Sequence, residues 1–137
     1  MTQKIAHLEF IQEVIKRMST NSFLIKGWTV TLVSALFVVT VTTKDAQPLF
    51  VLLAYFPAIA LWILDAYYLH QERLFKKLYD EVRLPDSTVK DFSMDTSRYE
   101  GASQSWRQAM LSKTLLIFHG CILVAIMLVM LSLLLLR

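Results

Sequence analysis

One carboxylate stands where only apolar side chains are expected. Asp65 follows residues 49–64, a run that is apolar apart from Tyr55 and Pro57, and it precedes AYYLHQERLFKKLYDEVR. Counting inward from Leu69 at about 1.5 Å per residue puts it roughly 6 Å inside an apolar layer. A charge at that depth is expected to face protein or water rather than lipid. His119, counted from Thr114 in the last apolar run, falls at about the same depth, and Lys26 stands at the same edge of the first run. These residue types allow a carboxylate–imidazole hydrogen bond supported by an ammonium group. Asp65 and His119 are therefore the expected intramembrane polar pair, within one subunit or across an interface. The plainer alternative is that Asp65 is hydrated at the interface or bonded to Tyr67 or Tyr68.

No catalytic set accompanies them. There is no Gly-rich phosphate loop, no HExxH and no Cys–His ligand set, and the three histidines are scattered. An enzyme is not expected, nor a metal or cofactor. The single cysteine, Cys121, excludes an intramolecular disulfide, and its apolar setting argues for packing over reactivity. The net charge of +3 leaves no nucleic-acid footprint.

The elements that must position the pair are membrane spans. Of 137 residues 55% are hydrophobic, too many for an ordinary soluble domain, and they are clumped. Residues 115–136 carry only His119 and Ser132 as polar side chains. Three spans are expected: 23–43, 48–69 and one within a helix at 103–136, in an all-α membrane protein forming a single membrane domain, 1–137. A cleavable signal peptide is not expected, because Glu9, Glu13, Lys16 and Arg17 occupy the place of its apolar region.

Residues 1–22 predict an N-terminal amphipathic helix, with Ile5, Leu8, Ile11, Ile15 and Met18 at helical spacing. It would lie on the membrane or a partner helix, or pack on the protein's own polar region. Ser19, Thr20, Asn21 and Ser22 read as a break that caps the next helix. The hydroxyls of the first span fall on two sides, which does not suit the wall of a wide aqueous pore. Gly27, Thr31 and Ala35, spaced by four, would let another helix approach. Lys44 to Gln47 make a short connection that folds spans one and two into an antiparallel hairpin. Pro57 is expected to kink the second span and free the carbonyl near Leu53.

The second span has no breaker before Pro85 and is expected to continue to about residue 84 as a water-exposed helix. Leu64, Leu74, Phe75, Leu78 and Val82 form an apolar stripe opposite the Asp65 side; sister copies of the chain are its favoured cover, and within one chain the candidates are the N-terminal helix and the approach to span three. Glu72–Lys76, Lys76–Asp80 and Lys77–Glu81 are spaced for ion pairs. Residues 85–102 read as a linker, and the helix of the third span should begin after Gly101 and Ser103 and also project beyond the membrane. Eight Lys or Arg lie between spans two and three, against one in the first loop and one after the last span. The positive-inside rule puts the N-terminus and that segment in the cytoplasm and the C-terminus outside.

With its hairpin and an IxRM-type start (Ile15 to Met18), the stretch LWILDAYYLHQERLFKKLYDEVR at residues 61–83 resembles small bacterial inner-membrane proteins of the RipA-like octameric membrane protein family. The likeness covers about residues 5–83. It implies a homo-oligomer of the cytoplasmic membrane with no enzymatic residues. Two functions compete at this stage. The chain self-assembles in the inner membrane and acts as an effector or receiver for a soluble cytoplasmic partner or signal. Alternatively, its oligomer is a channel or a membrane-permeabilising effector of the anti-phage or toxin-like kind, for which Pro57, Asp65 and His119 would speak.

Overall fold

A computed structural model describes residues 2–43, 48–89, 92–101 and 105–136. The expected connection at 44–47, together with Lys90, Ser103 and Arg137, lies outside the described residues. All regular structure among the described residues is helical: α1 (Thr2–Thr42), α2 (Pro48–Val82), α3 (Trp106–Met110) and α4 (Lys113–Leu135), with a 3₁₀ turn at Ser97–Tyr99. Three of these helices, α1, α2 and α4, are long and apolar enough to cross a membrane.

The first correction concerns α1. Residues 1–22 are not a separate amphipathic helix, because α1 runs unbroken for 41 residues through Ser19–Ser22. Its buried positions His7, Ile11, Ile15, Ser22, Ile25, Thr29, Val33 and Thr40 follow one seam at intervals of three, four or seven. A cap is worth about 1 kcal/mol, and propensity yields to a tertiary seam that continues past the polar residues. Ser22 does not cap anything; its hydroxyl donates to Asp65.

That seam lies antiparallel along α2. Ile11 and Ile15 pack with Leu78 and Val82 at one end. At the other, Val33 packs with Val51, Ala54 and Ala58, where Ile126 of α4 joins them. Ala54 and Ala58 are the small pair that lets helices close, whereas Thr31 and Ala35 are exposed and a side chain at Gly27 would meet nothing. Pro57 sits inside α2, which continues unbroken around it. At about 1.5 Å per residue the 41 residues of α1 and the 35 of α2 make about 60 and 50 Å, against an apolar layer of about 30 Å. The α1–α2 pairing therefore runs longer than one such layer, and its ends near Ile11 and Leu78 make up a two-helix arm.

The second correction is the cover of the apolar stripe. Leu74, Leu78 and Val82 are buried within a single chain, Leu78 and Val82 against Ile11 and Ile15 of α1, with Phe75 partly buried beside them, so sister copies are not needed there. Val89, Met94 and Tyr99 close the same cluster from the linker. Leu64, grouped with the stripe by its spacing, is exposed. Third, 103–136 is not one helix. Ser112 ends the continuity because its side chain accepts from Leu115 N and caps α4, and α3 has its own capping box from Ser105 and Gln108. The carbonyl of Met110, freed at the break, accepts from Trp62 Nε1 at 3.1 Å. With 23 residues, α4 matches about one bilayer thickness.

Candidate functional site

The polar side chains that α1, α2 and α4 bring to their common contact form the candidate site. Asp65 sits where α2 is covered by α1 on one side and α4 on the other, and it is fully buried. Ser22 donates to its Oδ1. Lys26, one helical turn further along α1, reaches Oδ2 at 2.7 Å and also donates to the Ser22 hydroxyl at 2.9 Å. His119 Nε2 of α4 lies 2.8 Å from the same Oδ2, within one chain. The two members of the expected pair are thus brought together, with Ser22 and Lys26 completing a four-residue knot across three helices.

The surroundings hold the knot in place. The His119 ring stacks on Trp62, centroids 5.7 Å apart and 7° from parallel, and Phe118 meets it edge-on. The Lys26 ammonium stands 6.0 Å from the Phe118 ring centre. Tyr67 and Tyr68 make no hydrogen bond to Asp65; their rings pack on each other. His119 Nδ1 has no hydrogen-bond partner among the described residues. In the neutral tautomer that donates Nε2–H to the carboxylate, that nitrogen is a bare acceptor, the cheaper atom to leave unpaired.

This arrangement ties three helices together through one carboxylate. Among the described residues no group of three or more His, Cys, Asp or Glu could hold a metal ion. The span hydroxyls are used locally: Thr29, Thr31, Thr40, Thr42 and Thr43 donate to the carbonyls of Ile25, Gly27, Leu36, Val38 and Val39 on their own helix. His7 and His70 are also buried, and His7 Nε2 lies 3.0 Å from the Ser93 carbonyl.

A second carboxylate knot lies in the arm. Glu81 accepts from the Tyr99 hydroxyl, from Thr88 Oγ1 at 3.0 Å, and pairs with Arg98 at 2.9 Å. These bonds, the Tyr99 bond foremost, hold its carboxyl below the usual range. Burial, then Glu81, pushes the Tyr99 hydroxyl up. Lys77 is thus displaced as the partner its spacing suggested, and Asp80 pairs with Arg83 instead of Lys76. Glu72–Lys76 is present at 3.4 Å. The sequence reading missed Ser22 as a site residue, and the i,i+4 spacing of Ser22 and Lys26 was the available signal.

Comparison with known protein families, with characterised proteins and with solved structures finds no match.

Proposed function

We propose that the chain is a multi-pass protein of the bacterial inner membrane that self-associates there and receives a soluble cytoplasmic partner on its helical arm. The carrying observation is the sealed arm: α1 and α2 stay paired well past the length of a bilayer, around Ile11, Ile15, Leu78 and Val82. A projecting two-helix arm is stiff enough to transmit a contact to the Asp65 knot at its base. Ile5 and Phe10 are exposed on it, beside a groove lined by Leu8, Glu9, Lys16 and Tyr79. Charge asymmetry supports a cytoplasmic arm and an outward far end of α4. Self-association draws on the outward Gly27–Thr31–Ala35 face and on the resemblance to the RipA-like family, no longer on the α2 stripe. The channel alternative loses its motive, since Asp65 and His119 are engaged with each other inside one chain.

The test has two arms. A photo-crosslinking side chain at Phe10, in cells, should capture a soluble protein or a sister copy, whereas one at Val38 should capture neither soluble protein nor arm. Lipid adducts alone at both positions would end the receiver reading. Liposomes carrying the purified protein should hold their dye; release that disappears with Asp65→Asn would restore the channel.

A further inference from the structure

α1 and α4 meet α2 on different sides and scarcely touch each other, so a cleft of about 570 Å³ opens between them. Its lip carries Lys113, Thr114 and Lys26; its wall is Ile117, Phe118 and Ile122, with Cys121 exposed in it. Lys113 begins α4 and Phe118 lies about 7.5 Å further along the axis. Lys26, 6.0 Å from the Phe118 ring, is therefore the deeper of the two cations. The positive groups are graded from the polar end inward, and the wall below them is apolar.

The charges at this lip do not cancel. Lys26 is compensated by Asp65. Lys113 has no carboxylate at ion-pair distance among the described residues. The first-turn N–H groups of α4 add a partial positive charge at the same place. Beyond the Leu115 N–H that Ser112 takes, they have no intrahelical acceptor. A cationic rim over an apolar wall, on a helix that begins its span there, complements one class of molecule.

We propose that this cleft is a binding site for an anionic glycerophospholipid, its phosphate between Lys113 and Lys26 and its first acyl chain along Ile117, Phe118 and Ile122. The site needs only that the chain be in a membrane, so it stands independently of the partner proposed for the arm. The lipid would cover one flank of the Asp65 knot through Lys26.

Delipidated full-length protein in detergent would be titrated with dioleoyl phosphatidylglycerol or dioleoyl phosphatidylcholine. Bound lipid would be read by native mass spectrometry, and occupancy by maleimide alkylation of Cys121, the chain's single cysteine. Phosphatidylglycerol should bind and slow alkylation, and phosphatidylcholine should do so far less. Lys113→Gln should weaken phosphatidylglycerol about fivefold, the worth of one lysine at an anionic lipid surface, with Lys77→Gln unchanged. Cys121→Trp should fill the wall and prevent retention, read by mass alone.

Equal protection by both lipids, or equal binding by the Lys113 and Lys77 variants, overturns the proposal. So does protection by inorganic phosphate alone, which would indicate an anion site. Cys121-to-Cys121 cross-linking between copies, insensitive to lipid, would assign the cleft to a second chain instead.

Discussion

The two ends of the α1–α2 pair are held by different physics. With the arm outside the membrane, as proposed, Ile11, Ile15, Leu78 and Val82 leave water for one another. That burial is worth about 1.5–3 kcal/mol per side chain. Around Val33, Ala54, Ala58 and Ile126 the alternative to contact is lipid, which is as apolar as the core, so the hydrophobic effect contributes little. Close approach through Ala54 and Ala58 and the polar knot at Asp65 take its place there. The two carboxylate knots differ in the same way. Asp65 is sealed and its partners are fixed, whereas Glu81 is tied at the surface, where water and salt compete.

The largest effect should come from breaking the sealed knot. Asp65→Ala leaves Lys26 and His119 facing each other without a carboxylate and should cost about 3–5 kcal/mol, read by unfolding in mixed micelles. Replacing the knot together, as Lys26→Met, Asp65→Leu and His119→Phe, should recover most of that loss. A triple variant as damaged as the single one would mean the knot stabilises in its own right and does more than set register.

Next comes Leu78→Ala, about 3 kcal/mol from lost burial and a residual cavity. It should loosen the arm alone, so hydrogen exchange should rise in residues 2–18 and 70–82 with the spans still protected. Exchange rising equally throughout would abolish the distinction between the two ends. Ser112→Ala, which removes the α4 cap, should cost about 1 kcal/mol and let α3 and α4 merge, visible as a blue-shifted or strengthened helical signal around Met110 in site-specific labelling.

The smallest effect should be at Glu81. Its folded-state pKa is depressed, so its contribution is present above the unfolded value of about 4.3 and disappears as pH falls through the folded one. Tyr99 is raised, so its contribution is complete below about 10 and is lost as pH climbs through the folded value. Exchange at residues 92–99 should therefore rise at both extremes and with added salt. Glu81→Gln should remove the acid limb while leaving the Asp65 region unchanged.

Much of this was legible along the chain. The spans followed from apolar runs, the long α2 from the absence of breakers before Pro85, and the Asp65–His119 meeting from two depths counted against a common edge. The reading failed where local signals compete with a distant partner. Ser19–Ser22 looked like a cap because hydroxyls favour caps, yet α2 supplied a seam that carried α1 straight through. At Ser112 the same residue type did break the helix, since Trp62 was there to take the freed Met110 carbonyl. The Leu74–Val82 stripe announced that something covers it, and nothing in its own spacing said what.

The amino-acid order by itself determined which segments are apolar enough to span, how long they are, and which side chains are too polar to face lipid, because those are properties of single residues counted along a helix. Only the three-dimensional arrangement decided that α1 covers the α2 stripe, that Ser22 and Lys26 join Asp65, and that α1 and α4 leave a cleft between them. Those outcomes depend on the register and rotation of long helices against one another, which many weak contacts set jointly and no single residue encodes.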